Sequence, residues 1–420
     1  MTTFELRPIE SHEIDAYAAC QGAAFSCPFP AVELESLAKE LPLDRSMAAF
    51  DGADLVATTA SYRVSMTLPG LVRCEVAAVT DVSVAPTHRR RGLLREMMRR
   101  QLDDLRARQE SVAVLYASEG GVYGRYGYGP ATFGAHYVID KRHARFFPAA
   151  ARGGTLSVSS GRSGSVKLVN REQAAEAFPA VYDVYVPTRA GELDRLRGVW
   201  AELLGEVGEA ADATGQRFYA CYEEGGRIDG YAVYRVAGID PADRYRRGVF
   251  LEELCSLSGA GYVALWHYLL GIDLSEELRT RGRPLDEPLR YLLEDQRQLR
   301  TASWGDRTWV RLVDVARALA LRRYEEEGEL VLEVDDPFCP WNSGRYRLSV
   351  DGDGSADAER VEAAADLVLP AEALGALYLG GVPFRSMCEV GRIEERADGA
   401  TARADRMFLG PRPPFCTTNF

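Results

Sequence analysis

The hydrophobic positions alternate between strand-like and helix-like stretches over the first third of the chain. Short apolar runs predict strands at FELRPI (4–9), SMAAFDG, LVATTASYRVSM, CEVAAVTDVSV and SVAVLYAS. Residues 10–24 and the stretch LLREMMRRQLDDLRARQ instead carry apolar residues at intervals of three and four, which indicates helices with one buried face. Strands and amphipathic helices in alternation favour an α/β (α+β) fold.

Two further regions follow a change of composition. Residues 148–165 are rich in Pro, Ala, Gly and Ser and predict a linker, after which helices and strands recur in similar order. In the last region ELVLEVDDP and RYRLSVDG predict strands that meet at an Asn-Ser-Gly turn near Asn342, and residues 365–381 (ADLVLPAEALGALYLGG) predict a helix between apolar strands. We therefore expect three domains, at 1–147, 148–298 and 299–420.

Composition and charge exclude several classes of protein. With 420 residues, 46% hydrophobic and 27% charged, the chain is typical of folded domains and not of a disordered or fibrous protein. It lacks the ~18 consecutive apolar residues of a membrane span and the basic, apolar start of a signal peptide, so we expect a cytoplasmic protein without membrane contact. The eight cysteines form no CxxC pair and the five histidines are scattered, which predicts reduced thiols and no metal site.

The segment VSVAPTHRRRGLL is the most informative part of the chain. A predicted strand ends at Val82-Ser83-Val84, and a helix starts at Leu93 just after Gly92. The free N–H groups and the dipole of a helix N-terminus attract anions, so a pyrophosphate is expected here. The expected ligands are Arg89, Arg90, Gly92 and the amides around Arg91, Leu93 and Leu94, while the strand edge pairs with an extended, amide-containing arm. A solvated helix start and a nucleic-acid patch are the alternatives; acids at Glu96, Asp103 and Asp104 and the net charge of −12 weigh against the patch.

Arg89-x-x-Gly92-x-Leu94 resembles the pyrophosphate loop of GNAT acetyltransferases, although Leu94 replaces the usual small last residue. SVAPTHRRRGLLR together with ASEGGVYGRYGYGPAT (117–132) is more specific and resembles the actinobacterial Eis (enhanced intracellular survival) family of N-acetyltransferases. The resemblance spans the chain and implies two GNAT-like domains in tandem and a sterol-carrier-protein-like C-terminal domain. It also implies acetyl-CoA as cosubstrate, a small-molecule amine as acceptor and a homo-oligomer, a hexamer in this family.

The resemblance assigns the acid and the base of the reaction. Alignment of EGGVYGR with the family pattern makes Tyr123 the general acid for the leaving thiolate, and Ser118 is expected to contact cofactor or substrate. Tyr126 stands at a position where an aromatic residue of either kind would serve, and Tyr128 is expected to have a packing role only. Because an ordinary tyrosine pKa of about 10 is close to that of a thiol, the transfer is nearly balanced. The base implied by the family is the chain's own terminal carboxylate, here that of Phe420, acting through water.

Two acids of the family pattern are missing. Asn419 replaces a penultimate acid, and a second acid is replaced around Ser26-Cys27. Both losses weaken an anionic pocket for aminoglycosides, so the class of amine stays open. In the second region, Glu252 and Glu253 stand at the corresponding junction without an Arg-x-x-Gly, and a pyrophosphate beside uncompensated carboxylates would be repelled. We therefore expect the second region to be a degenerate GNAT-like domain without a cofactor, and the helix around Trp266 to be core or interface.

Other functions are disfavoured by particular residues. A non-catalytic lipid- or small-ligand-binding protein built on the C-terminal domain would need no phosphate loop, no Tyr123 and no docked chain end. The end PFCTTNF is apolar, whereas frayed termini are polar. A covalent cysteine relay is disfavoured because no cysteine lies in the motifs.

Overall fold

The computed structural model describes residues 4–27, 31–147, 164–206, 215–240, 242–243 and 245–420. The predicted linker at 148–165 lies almost entirely outside the described residues. The chain forms two compact units. One consists of Met1–Thr132, Arg189–Asp194 and Asp306–Phe420, and the other of Phe133–Thr188 and Arg195–Gly305.

The N-terminal part of the first unit confirms the predicted alternation of strands and helices. Its helices are α1 (Ile14–Phe25), α2 (Ala31–Glu40) and α3 (Leu93–Ala107). Its strands are β1 (Glu5–Pro8), β2 (Ser46–Asp51), β3 (Asp54–Leu68), β4 (Val72–Val84), β5 (Val112–Tyr116) and β6 (Gly129–Pro130). Leu93, Met97, Met98, Leu102 and Leu105 are buried, which confirms the predicted apolar face of α3.

These strands belong to a seven-stranded sheet of order β1-β2-β3-β4-β5-β15-β6. Strands β1 to β4 are antiparallel neighbours, whereas β4 and β5 are parallel and pair only at Ala77 with Ala113 and Ala78 with Val114. The register of β3 against β4 shifts between Thr58 and Ala60, a β-bulge that re-aims the residues opposite it. The end of β4 therefore runs on beyond the last pair it makes with β5, which leaves its edge free beside the cleft described below.

The second unit contains its own sheet and a separate core. Its helices are α4 (Arg171–Tyr185), α5 (Arg197–Leu203), α6 (Gly259–Gly271) and α7 (Leu289–Leu292). Its strands are β7 (Phe133–Asp140), β8 (Ser165–Val169), β9 (Arg217–Glu224), β10 (Arg227–Gly238), β11 (Arg247–Ser256), β12 (Glu277–Thr280), β13 (Arg283–Pro284) and β14 (Leu299–Asp306). The sheet order is β13-β7-β12-β11-β10-β9-β8, and β14 pairs with β7. Trp266 is fully buried in the core of this unit, as the sequence predicted.

The C-terminal part returns to the first unit. It contains β15 (Thr308–Leu312), α8 (Val315–Leu321), β16 (Gly328–Asp335), β17 (Gly344–Val350), β18 (Ala356–Arg360), β19 (Leu367–Pro370), α9 (Ala371–Leu377), α10 (Phe384–Glu389), β20 (Glu394–Glu395) and α11 (Ala400–Phe408). β15 joins the first sheet, and the other strands form a five-stranded sheet of order β18-β17-β16-β19-β20. The predicted pairing of ELVLEVDDP with RYRLSVDG is confirmed, but the connection is a longer loop with a 3-10 turn at Pro340–Asn342. The side chain of Asn342 is buried and bonds to Leu312 O, so it packs within the fold instead of forming a tight exposed turn.

Glycines bring the C-terminal part against the first sheet. A Cβ atom added at Gly375, on α9, would collide with the carbonyl oxygen of Val310 on β15. A Cβ atom at Gly129, on β6, would collide with the backbone of α9. Because neither glycine has a side chain, helix and strands approach to backbone contact, which larger residues would prevent.

Two strands pair away from the domain to which the sequence analysis assigned them. β7 falls within the expected first domain (1–147) but pairs in the sheet of the second unit, and β15 falls within the expected third domain but pairs between β5 and β6. The division at 1–147, 148–298 and 299–420 stays a proposal. In the described part of the chain, no helix is both long enough and apolar enough to cross a membrane. All eight cysteines are free thiols, and Cys27 is exposed.

Candidate functional site

The arginine–glycine loop has the local structure that the sequence predicted. β4 ends at Val84, a 3-10 turn covers Pro86–His88, and α3 begins at Leu93. Gly92 is the N-cap of the helix with a φ of 88°, a left-handed conformation that glycine adopts without strain. The first backbone bond of α3 runs from the N–H of Glu96 to the carbonyl of Gly92 at 3.1 Å. The N–H groups of the first turn therefore point out of the helix end, where an anion can bind them.

A cleft of about 940 Å³ lies over this helix end. The predicted residues that line it are Val82, Ser83, Val84, Arg89, Arg90, Gly92, Leu93, Leu94, Ser118 and Tyr123. Arg91 is exposed and is not among the lining residues. The Ser83 side chain is buried and pairs with the Thr58 hydroxyl at 2.7 Å, so its hydroxyl serves the fold.

The charge of the cleft is mostly positive. Arg89, Arg90, Arg95 and Arg125 line it together with His88, and Glu119 is the acid among the described lining residues. The Arg89 guanidinium donates to the carbonyl of Ala24 at 2.8 Å, which holds this side chain against the end of α1. Arg90 has a φ of 63° and is exposed. Several arginines beside free helix N–H groups suit a polyphosphate, because guanidinium–phosphate bonds are charge-assisted.

Tyr123 lies at the side of this cleft, in the loop that follows β5. Only 5% of the residue is exposed, and its ring meets that of Tyr128 edge-on at 6.1 Å. Burial raises the pKa of Tyr123 to about 12, so its hydroxyl stays protonated at neutral pH. The neighbouring Tyr126 is also buried and packs on Phe338 at 4.9 Å. Tyr128 is fully buried, as predicted, and its hydroxyl has no hydrogen-bond partner in the described structure.

A smaller pocket of about 180 Å³ shares Tyr123 and Ser118 with the large cleft. Phe420, the last residue, lines this pocket, and its ring packs edge-on against Tyr116 at 5.3 Å. Asp81 lines it as well, from the bulge in β4. The structure thus brings the predicted acid, Tyr123, and the predicted base, the end of the chain, to one small pocket beside the cleft. Asn419 and Cys27, which replace acids of the family pattern, are both exposed.

The C-terminal tail is held by buried polar contacts. Glu192 is fully buried and accepts hydrogen bonds from the Thr417 N–H at 2.9 Å and the Thr417 hydroxyl at 2.7 Å. The Tyr116 hydroxyl donates to the carbonyl of Thr418 at 2.6 Å. Arg307 donates to the carbonyl of Cys416 at 3.0 Å, and its guanidinium lies over the Phe415 ring at 5.3 Å. These contacts explain why the apolar end is docked and fix where Phe420 lies.

Several residues of the site were not found from the sequence. Arg95 lies in the first turn of α3 and would follow from its position just after Gly92, but Arg125 and Phe338 come from other segments. Asp81 interrupts an apolar strand, a signal that is visible in VAAVTDVSV but does not by itself indicate a pocket. Glu192, which holds the tail, has no local motif because its partner lies at Thr417.

At the corresponding junction of the second unit, the structure contradicts our expectation that Glu252 and Glu253 are uncompensated. Glu252 pairs with Arg217 at 2.8 Å and Arg235 at 2.6 Å, and Glu253 pairs with Arg195 at 2.5 Å. The two carboxylates are therefore compensated, contrary to our assumption, and their pairing uses the arginines of that region. We still propose that this junction binds no cofactor, but for a different reason: its arginines already pair with the two glutamates.

The comparisons with known proteins cover the whole chain. Residues 5–131 and 191–312 each match an acetyltransferase (GNAT) domain, and residues 315–417 match a sterol carrier protein domain. An uncharacterized N-acetyltransferase of Streptomyces coelicolor is 40% identical over the full length of both chains. The N-acetyltransferase Eis of Mycobacterium tuberculosis (strain ATCC 25177 / H37Ra) is 35% identical over 89% of each chain.

Solved structures agree in fold. The crystal structure of Eis1 from Mycobacterium abscessus superposes with a TM-score of 0.84 at 32% identity, covering 100% of both chains. A GCN5-related N-acetyltransferase from Anabaena variabilis has the same TM-score of 0.84 at 19% identity and shares the fold. With two GNAT domains followed by a sterol-carrier-like domain, and full-length similarity to acetyltransferases, the chain is an acyltransferase and belongs to the Eis family of GNAT N-acetyltransferases.

Proposed function

We propose that this enzyme transfers an acetyl group from acetyl-CoA directly to a primary amine, with both substrates bound at once. The observation that carries the proposal is the position of Tyr123, which lines both the cationic cleft and the small pocket that contains the chain end. A group bound in the cleft and an amine bound in the pocket would meet beside this side chain. Such an arrangement needs no covalent enzyme intermediate, because the two reactants are held side by side.

The cleft supplies what a pyrophosphate needs. Arg89, Arg90 and the N–H groups at the start of α3 would hold the diphosphate of acetyl-CoA, with Gly92 allowing close approach of the backbone. The edge of β4 at Val82–Val84 would pair with the amides of the pantetheine arm. Arg95 and Arg125, which the sequence analysis did not select, add positive charge to the same cleft.

The pocket supplies the proton acceptor. A protonated amine has no lone pair for attack, so it must lose a proton, and the Phe420 α-carboxylate would take it through water. Tyr123 would donate its hydroxyl hydrogen toward the leaving sulfur. Burial raises the pKa of Tyr123 to about 12, well above the value of about 8.5 for a thiol. Complete transfer of the proton from Tyr123 to the thiolate is therefore less favourable than it would be from an ordinary tyrosine. Tyr123 would therefore act first as a hydrogen-bond donor that stabilises the thiolate.

The C-terminal domain would serve to deliver the tail. Its last residues hold Phe420 in the first unit through Glu192, Tyr116 and Arg307. This role accounts for the docked end without assigning a lipid to the sterol-carrier-like fold, and a fold by itself does not carry a ligand. On the family resemblance we also propose a cytoplasmic homo-hexamer, which light scattering after size exclusion would test; a monomer would refute the assembly alone.

The deciding experiment measures thiol release from acetyl-CoA with a panel of primary amines that includes aminoglycosides. Direct transfer predicts release that depends on the amine and initial-rate plots that intersect when both substrates are varied. Parallel plots would indicate a covalent acetyl-enzyme and would overturn the ternary complex. If the enzyme binds acetyl-CoA but transfers acetyl to none of the amines, the proposal of an amine acceptor is wrong.

A further inference from the structure

Two residues that bear carboxyl groups line the small pocket beside Tyr123. They are Asp81 and Phe420, the residue that carries the predicted terminal carboxylate. The remaining described lining residues, among them Gln21, Tyr116 and Tyr123, are apolar or uncharged. Arg307 holds the tail nearby but is not among the residues that line the pocket. Within the described lining, the two carboxyls therefore have no cation to balance them.

The backbone conformation of β4 determines the position of Asp81. It lies in the bulge of β4 and has a φ of 57°, in the left-handed region where Asp and Asn are among the tolerated residues. The Thr58 hydroxyl donates to the carbonyl oxygen of Asp81 at 2.6 Å, which fixes the bulge. The Tyr17 hydroxyl donates to one carboxylate oxygen at 3.3 Å. The Tyr17 hydroxyl and the Gln21 amide that contact this carboxylate are uncharged, so neither supplies a balancing charge.

Placing a carboxyl here costs the folded protein stability. Burial raises the pKa of Asp81 to about 6, while contacts with Tyr17 and Gln21 oppose the rise. At neutral pH the group is nevertheless ionised, and a carboxyl with a raised pKa that lines a pocket is a candidate functional residue. A cationic ligand would supply the missing counter-charge.

We propose that Asp81 binds a second ammonium group of the acceptor, so that the preferred substrates are compact diamines. This inference rests on the proposed amine acetylation and narrows its substrate class. The amine that attacks must be neutral and would give its proton to the Phe420 carboxylate, whereas the second amine stays charged and pairs with Asp81. A pocket of about 180 Å³ is smaller than the roughly 300–1,000 Å³ of sites for drug-sized ligands, which favours short chains.

The test compares propane-, butane- and pentane-diamine with monoamines of the same chain length. For the wild-type enzyme we expect kcat/KM to be at least about tenfold higher for the diamine, the effect of one charge-assisted contact. Asp81→Asn keeps the size and the left-handed backbone but removes the charge. It should raise the KM for diamines about tenfold and leave the KM for monoamines and for acetyl-CoA unchanged. Asp54→Asn, which neutralises an exposed aspartate at the start of β3, is the control and should change neither.

The outcomes separate this inference from the proposed function. Equal wild-type efficiency with diamines and monoamines would overturn the role of Asp81 and leave amine acetylation standing, and this result does not depend on the folding of any variant. If Asp81→Asn lowers kcat equally for both kinds of amine, Asp81 takes part in the reaction and does not select the substrate, which also refutes the inference. If acetyl is transferred to no amine at all, the proposed function itself fails.

Discussion

At the scale of single residues, the hydroxyl of Tyr123 has a role that its neighbour Tyr128 can be used to isolate. Both rings are buried and touch each other, but Tyr123 lines the cleft and the small pocket, whereas Tyr128 is core. The two tyrosines therefore differ in access to substrate and hardly in packing. This contrast makes the pair a matched test of the proposed acid.

Tyr123→Phe should lower kcat by about 10²–10⁴ with little change in the KM for acetyl-CoA, because its hydroxyl stabilises the negative charge that develops on the leaving sulfur only in the transition state. Tyr128→Phe should leave kcat unchanged and slightly raise the melting temperature, since it removes a buried hydroxyl without a partner in the described structure. Steady-state kinetics and thermal melts of both variants give the comparison. A Tyr123→Phe enzyme with full kcat would exclude the hydroxyl from the mechanism.

The charge of Asp81 should be visible in the stability of the protein. Its pKa is raised by burial to about 6, so the folded state binds its proton more tightly than the unfolded chain does. Such a group stabilises the fold when protonated, and this contribution is lost as the pH rises through about 6. Asp81→Asn should therefore raise the melting temperature at neutral pH, corresponding to about 1–3 kcal/mol, with a smaller gain at pH about 5.

Thermal melts of wild type, Asp81→Asn and Asp54→Asn at both pH values measure this effect. Asp54→Asn is expected to melt like the wild type throughout, because Asp54 is exposed. Titrating groups that Asp81 meets are Tyr17 and Tyr62, and their pKa values are raised by burial, so both stay neutral over this range. A gain that does not depend on pH would show that the carboxylate charge is not its cause.

At the scale of elements, the unit that binds anions is the turn between β4 and α3. Its parts are a strand end, a left-handed Gly92 and a helix whose apolar face is buried by the sheet. These are local features, and each of them was predictable from spacing and residue type. The bulge in β4 was not, because a register shift depends on the partner strand β3 as well as on β4 itself.

Reversing one charge at this turn should weaken the binding of acetyl-CoA and leave the binding of the amine unchanged. Arg90→Glu should raise the KM for acetyl-CoA about tenfold or more, because it replaces a charge-assisted contact with repulsion. Arg100→Glu makes the same change of charge on the exposed face of the same helix, away from the cleft, and should have little effect. Titration of each variant with acetyl-CoA measures the affinities. Equal affinity of Arg90→Glu and wild type would refute the pyrophosphate assignment.

At the scale of the whole molecule, contacts between distant segments bring Phe420 to the small pocket. Phe420 reaches the pocket because Glu192, Tyr116 and Arg307 hold the preceding residues, and these three come from distant parts of the sequence. The family resemblance assigned the base to this carboxylate. The structure adds the contacts that hold the preceding residues, Cys416, Thr417 and Thr418.

Lengthening the chain tests the role of its end. Two residues added after Phe420 should lower kcat at least about 100-fold, since the carboxylate would move away from the pocket, while acetyl-CoA binding should remain. The same two residues added before Met1 provide a control of equal length. Calorimetry with acetyl-CoA and thiol-release rates would distinguish the two effects. Unchanged turnover with the C-terminal extension would remove the carboxylate from the mechanism.

The sequence by itself determined the features that depend on near neighbours: the strand–turn–helix around Gly92, the buried face of α3, the aromatic loop with Tyr123, and, by resemblance, the family. Helical periodicity and capping depend on residues a few positions apart, so the amino-acid sequence is enough to predict them. Only the tertiary structure decided that β15 completes the first sheet, that Glu192 holds the tail, and that Asp81 and Phe420 share a pocket. Those contacts join residues far apart in the sequence, and their pairing is selected by the packing of the whole unit, which no local pattern specifies.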